Sequence, residues 1–187
     1  MSAASARDNS ARQDLGPLEG EEGYTFSLVA AYQQGEWTLR LFHDDFEELR
    51  TAEQAVRNLR SEGPALAFLC VDDDYWVILR PAPGGLKLLI SDVTMAYDDD
   101  YAAEIIDELG VELPDLSPEE LDECEPWADG DFDILADLGV SEEVLGVICD
   151  DVEAWPSEQL ARVAQELGCG EEFSELTGVE VPMDEGW

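Results

Sequence analysis

Positive charge is what this chain has least of. Only 9 Lys and Arg stand against 46 Asp and Glu in 187 residues, for a formal net charge of −37. Such a chain repels nucleic acid and anionic membrane and attracts basic surfaces. Phosphate binding draws on Lys and Arg, so direct nucleic-acid binding is not expected. Histidine occurs once, as His43, beside Asp44 and Asp45. A Ser-His-Asp site would have to use it, yet there is no G-x-S-x-G elbow, and His43 reads as a structural residue at a helix entry. The four cysteines, Cys70, Cys124, Cys149 and Cys169, are too widely spaced for a C-x-x-C pair. That spacing removes the zinc and redox motifs built on such pairs, and nothing suggests a disulfide framework, which fits a reducing cytoplasm. No apolar run approaches the roughly 18–20 residues of a membrane span, and no basic-then-apolar leader opens the chain. The expectation is a cytoplasmic protein that engages no membrane. Neither G-x-x-x-x-G-K-[ST] nor G-x-G-x-x-G occurs, so nucleotide binding has no motif support and no cofactor is expected.

What the chain does have is an apolar middle. Ala65-Leu66-Ala67-Phe68-Leu69-Cys70-Val71 is a continuous apolar run, followed by Asp72-Asp73-Asp74 with turn chemistry. Tyr75-Trp76-Val77-Ile78-Leu79 and Leu86-Lys87-Leu88-Leu89-Ile90 are two further runs, separated by Pro81-Ala82-Pro83-Gly84-Gly85. Three short runs joined by short turns predict an antiparallel meander, and the first, apolar on both faces, predicts a central strand covered on both sides.

Around it the chain divides into five parts. Residues 1–23 lack periodicity and read as a disordered tail. Residues 24–110 read as an α+β domain. Within it, Tyr24 to Tyr32 and Trp37 to Phe42 form a hairpin across Gln33 to Glu36, and a helix follows, capped by Asp45 with Glu48 three residues on. Phe46, Leu49, Ala52, Val56 and Leu59 form its apolar stripe, and Gly63-Pro64 ends it. After the meander comes a second helix, from Tyr101 to Leu109. Residues 111–130, with Pro114, Pro118 and Pro126 among many acids, read as an acidic linker that docks locally through Leu113, Leu116, Leu121 and Trp127. Residues 131–178 read as a small helical region: Phe132, Leu135 and Leu138 repeat at three, Ser141 caps the next helix and Pro156 starts another. Residues 179–187 read as a tail. The expected class is α+β, with one mainly antiparallel five-stranded sheet, covering helices in β-β-α-β-β-β-α order and an acidic C-terminal helical appendage. The order resembles that of profilin-like and longin-like domains, a likeness of fold alone.

The charge is segregated. Thirty of the acids and one base, Arg162, lie from Asp98 to Trp187. Solubility is the plainest reading of such a half; a basic partner or mimicry of nucleic acid is the functional one. Asp129-Gly130-Asp131-Phe132-Asp133 opens like a calcium loop. Such a loop needs glycine at its sixth position and a glutamate at its twelfth, where this chain has Ile134 and Val140, so no metal site is expected. Trp37 and Trp76 fall in strands and read as core. Trp127 and Trp155 fall in acidic, proline-containing stretches, where aromatic anchors of an interface would sit. The candidate partner-binding residues are therefore Asp98, Asp99, Asp100, Trp127, Asp150, Asp151 and Trp155.

Certain stretches carry a family resemblance. They are the hairpin Phe26 to Phe42, Ala65 to Leu69 before Asp72-Asp73-Asp74-Tyr75-Trp76-Val77, Ile90-Ser91-Asp92, Gly110 to Pro114, Gly130 to Gly139 and Pro156-Ser157-Glu158-Gln159-Leu160. Over about residues 24–177 the chain resembles the actinobacterial tRNA adenosine deaminase-associated proteins. The resemblance implies a process shared with that deaminase. The deaminase itself uses zinc held by a His and two Cys, with a Glu as proton shuttle. Here His43-Asp44-Asp45 stands where H-x-E is needed and no P-C-x-x-C occurs. The expectation is a non-catalytic accessory protein whose partner is tRNA adenosine deaminase or another basic protein. The alternatives are an acidic mimic that blocks a basic tRNA-binding groove, and an enzyme of unrecognised type.

Overall fold

The computed structural model describes residues 24–181. The expected tail at 1–23 and the last six residues of the expected tail at 179–187 lie outside the described residues. One antiparallel sheet runs in the order β2-β1-β3-β4-β5-β6. Its strands are β1 (Phe26–Gln33), β2 (Glu36–Leu41), β3 (Ala65–Val71), β4 (Tyr75–Ala82), β5 (Gly85–Ile90) and β6 (Asp129–Gly130). The expected five strands are in place, in an α+β fold. The sixth is two residues long and pairs Gly130 with Leu89 and Asp129 with Ile90. No alternation marks it in the sequence. Gly130 makes it possible, because it sits at φ +129° and a Cβ there would lie 2.3 Å from the Leu88 carbonyl oxygen.

β3 is central, between β1 and β4, and it is buried from Leu66 to Val71. Period-two geometry splits its side chains between two cores. Leu66, Phe68 and Cys70 join one cluster, and Ala67, Leu69 and Val71 the other. Both faces are thus covered, as the continuous apolar run predicts. One layer is α1 (Leu49–Arg57) with α2 (Asp100–Leu109); the short α3 (Pro118–Glu123) buries none of its residues. The other layer is α4 (Glu142–Asp150), α5 (Pro156–Leu167) and α6 (Gly170–Thr177). There Phe173 of α6 packs edge-on to Phe26 at 5.4 Å and to Phe68 at 6.0 Å between ring centroids. Burying such a ring contributes about 1.5–3 kcal/mol.

Two local expectations need correction. The first helix does not start at an Asp45 cap. Asp44 Oδ1 accepts the Phe46 amide at 2.8 Å, and this local turn holds Phe46 at φ +57°, which delays the helix to Leu49. Glu48 stands at the N-cap without a side-chain bond, and the Leu49 amide instead donates to Glu104 Oε1 of α2 at 3.0 Å. Phe132, Leu135 and Leu138 do not lie on one α-helix. Spacing by three suits the three-residue turn of a 3-10 helix, and Ala136–Leu138 forms one.

The layer of α4 to α6 is fixed to the sheet by the β3–β4 turn. Asp72 and Asp73 both take positive φ there, at 52° and 55°, a conformation Asp tolerates better than most side chains. Asp73 is only 5% exposed. A buried carboxylate must be satisfied, and this one is. Its Oδ1 accepts the Ser157 amide at 2.7 Å; its Oδ2 accepts the Ser157 hydroxyl at 3.0 Å and the Tyr24 amide at 3.1 Å. Ser157 follows Pro156 at the start of α5, whose N-cap residue Trp155 offers no side-chain cap. Asp73 therefore supplies, from 84 residues away, the anion that the positive end of α5 lacks. Three positions beyond Asp73 and two beyond Ser157, Trp76 Nε1 donates to Gln159 Oε1 at 2.8 Å, and Gln159 Nε2 donates to the Asp151 carbonyl at 2.9 Å.

Candidate functional site

Asp73 and Gln159 determine where α5 lies, and α5 determines the surface beside it. A five-residue turn joins α4 to α5, and Glu143 at the start of α4 and Glu166 near the end of α5 line the same groove. The two helices therefore form an antiparallel hairpin. The groove encloses about 380 Å³ and is lined by Glu143, Val144, Val147 and Glu166, with an almost wholly apolar lining. Val147 is 52% exposed; Val152 and Trp155, in the turn, are 50% and 56% exposed. Exposed apolar side chains gathered within a charged rim mark protein interaction sites more often than single surface residues do.

The sequence-derived residues fall into two groups. Asp150, Asp151 and Trp155 belong to this hairpin. Asp150 is exposed, while Asp151 Oδ2 pairs with Arg162 at 3.0 Å. Asp98, Asp99, Asp100 and Trp127 lie instead with the α1–α2 layer. Asp98 and Asp100 are exposed, but Asp99 caps α2 by accepting the Tyr101 amide at 3.1 Å and accepts the Tyr75 hydroxyl at 2.7 Å. Trp127 packs against the α1–α2 core, and its carbonyl accepts the Val93 amide at 2.7 Å. The sequence reading missed Val147, Val152 and Glu166. A signal for Val147 existed. Val144, Leu145, Val147 and Ile148 span an apolar arc of roughly 160° at 3.6 residues per turn, and only Leu145 and Ile148 are buried.

Titratable groups elsewhere are held by structure. Cys70 lies in β3, and burial pushes its thiol well above the ordinary range. Burial pushes Cys149 and Cys169 up to about 12. A thiolate is the form that attacks or ligates, and burial disfavours it at these three positions. Burial also raises the carboxyls of Asp44 and Asp92, and Asp74 rises by desolvation together with the neighbouring Asp72 and Asp73. Asp44 Oδ2 and Tyr101 Oη are buried without a hydrogen-bond partner among the described residues. A second cavity, of about 330 Å³, gathers Arg57, Arg60 and Arg80. Glu53 pairs with Arg57 at 3.0 Å, and Asp137 binds Arg80 in a fork at 2.7 and 2.8 Å. Arg80's hydrogen bonds hold the Asp137 carboxyl below the usual range. All three acids of the stretch that opens like a calcium loop are likewise engaged. Asp129 Oδ1 accepts the Gly130 amide, Asp131 Oδ2 accepts the Leu88 amide and Lys87 pairs with Asp133. Among the described residues no helix is long and apolar enough to cross a membrane, and no group of three His, Cys, Asp or Glu side chains is placed to hold a metal ion.

Residues 25–170 match the model of a family described as Rv3753c-like tRNA adenosine deaminase-associated protein. The chain is 41% identical over 150 residues to Protein Rv3753c of Mycobacterium tuberculosis (strain ATCC 25618 / H37Rv), covering 80% of this chain and 85% of that one. No solved structure matches. The two stretches that meet at Asp73–Ser157 and Trp76–Gln159 both lie inside the matched region.

Proposed function

Because the chain belongs to the Rv3753c-like tRNA adenosine deaminase-associated protein family, we propose that it is a non-catalytic accessory protein of the cytoplasm that binds tRNA adenosine deaminase, or another basic protein, through its acidic C-terminal half. The observation that carries this reading is the segregation of charge, with thirty acids and one base from Asp98 onward. Complementary charge speeds encounter and orients the partner more than it sets affinity. A non-catalytic role agrees with the chemistry of the side chains. Base deamination needs a zinc ion held by His and thiolates, with a Glu beside it. Here Cys70 lies in β3, Cys149 in α4 and Cys169 at the start of α6, each a buried or half-buried thiol shifted away from its ligating form.

The test is a pull-down of the purified full chain with the same organism's tRNA adenosine deaminase, across a salt series, with and without tRNA. The accessory reading expects a complex that weakens steeply with salt and persists with tRNA bound. Displacement by tRNA would replace it with mimicry of nucleic acid. Absence of a complex at low salt would remove the deaminase as partner.

A further inference from the structure

The groove of the α4–α5 hairpin combines two chemistries that fit one kind of occupant. Among the described residues its apolar lining is Val144 and Val147, with the acids Glu143 and Glu166 beside them. Elsewhere on the hairpin Glu142, Asp150, Glu153 and Glu158 are exposed acids. An apolar lining requires apolar side chains from the partner, and the rim requires cations beside them. A second copy of this chain would bring acids to acids and be repelled. An anionic lipid surface would be repelled for the same reason. A basic amphipathic segment meets both demands, with apolar residues on one helical stripe and Lys or Arg flanking them.

We propose that the groove between α4 and α5, lined by Val144 and Val147 and rimmed by Glu143 and Glu166, docks an amphipathic helical segment of a partner protein, its apolar stripe in the groove and its flanking Lys and Arg on the rim. This deepens the accessory reading by assigning the contact to one surface, and rests on it only for the identity of the partner. Val147 lines the groove from an exposed position of a regular helix, so substituting it leaves the core alone. Docking into a pocket and attraction to a charged surface then respond to Val147→Glu with opposite signs. The added acid strengthens attraction of a cation to the surface as a whole, whereas it places an unpaired charge against the apolar stripe of a docked helix.

The experiment titrates the full chain with a synthetic 20-residue helical peptide, Leu at the i, i+3, i+4, i+7 positions and Lys or Arg elsewhere, and follows binding by calorimetry and backbone NMR. Saturable binding is expected, with shifts centred on residues 143–147 and 166. Val147→Glu should weaken it at least tenfold while circular dichroism stays unchanged. Glu143→Lys with Glu166→Lys should weaken it less and flatten its salt dependence. Stronger binding to Val147→Glu, or shifts spread over all acidic surfaces, would overturn the proposal. So would a chain that sediments as a dimer and becomes a monomer on Val147→Glu, since a second copy would then fill the groove. Repeating the titration with the deaminase separates the two readings. If the peptide docks and the deaminase does not bind, the groove stands and the named partner falls. If the deaminase binds equally to Val147→Glu, the partner stands and the groove falls.

Discussion

On one face of the sheet, α1 receives at its N-terminus the carboxylate of Glu104, an exposed residue of the neighbouring helix. On the other face, α5 receives Asp73, which is almost fully buried and accepts four hydrogen bonds, one of them from the Cys70 thiol. Neither helix carries a side-chain cap of its own, and each borrows an acid from another element. The difference lies in solvent. Water competes for Glu104 and can replace it, whereas nothing replaces Asp73 once the α4–α6 layer has closed over it. The layers differ on their outer surfaces as well. Of the four exposed large apolar side chains among the described residues, Val147, Val152 and Trp155 belong to the α4–α5 hairpin and none to α1 or α2. One layer covers the sheet. The other covers the sheet and presents unspent apolar surface, held in place by a buried polar lock.

The sharpest way to break the comparison is Asp73→Ala. It strands the amides of Tyr24 and Ser157 and should cost roughly 2–4 kcal/mol by urea unfolding. Hydrogen exchange should accelerate first in α5 and α6. Asp73→Asn, which keeps one acceptor and tolerates positive φ, should fall between that variant and the parent. Glu104→Ala removes the equivalent bond on the exposed side and should cost only about 0.5–1 kcal/mol. Equal losses from the two alanine variants would refute the distinction between the layers.

Asp44 adds a pH test. Burial raises its folded-state carboxyl above the ordinary value of about 3.9. A raised pKa means that the folded state holds the proton more tightly. The associated stability is present below pH 3.9 and is lost as pH rises through the folded value. Asp44→Asn keeps an acceptor for the Phe46 amide and never ionises. It should therefore be more stable than the parent at pH 7, and the gain should shrink as the pH falls toward 4. A gain that grew on acidification would show that the group is not held neutral by burial. The smallest effect is expected for Val147→Glu, whose unfolding midpoint should stay within about 0.5 kcal/mol of the parent because the side chain packs no core.

The sheet was legible because its strands carry their own signals. Leu66 to Val71 is apolar without a break, as a strand buried on both faces must be, and Asp72 and Asp73 are among the residues that tolerate the positive φ of the turn after it. The sequence leaves the first helix boundary ambiguous because Asp44, Asp45 and Glu48 all offer capping chemistry; the Asp44–Phe46 turn delays the start, and the Leu49 amide is then satisfied by Glu104 of α2, more than 50 residues away. β6 was not legible at all; two residues hold no period, and the close approach of Gly130 to Leu88 exists only in the fold. Half of the candidate surface was visible. Asp150, Asp151 and Trp155 were readable from charge and aromatic content. Trp127 carries the same signature and packs against the α1–α2 core. Val147 was hidden in an apolar stripe wider than the core needs. No local pattern tells that Asp73 is buried while Asp72 is exposed, since the distinction depends on where α5 arrives.

The most direct measurement of the central claim is backbone NMR of the full chain titrated with tRNA adenosine deaminase at low salt. The account predicts shifts and broadening confined to residues 143–166, with α1 and α2 unchanged, and their disappearance in Val147→Glu. Perturbation centred on Asp98 to Asp100 and α2, or spread evenly over both layers, would contradict it.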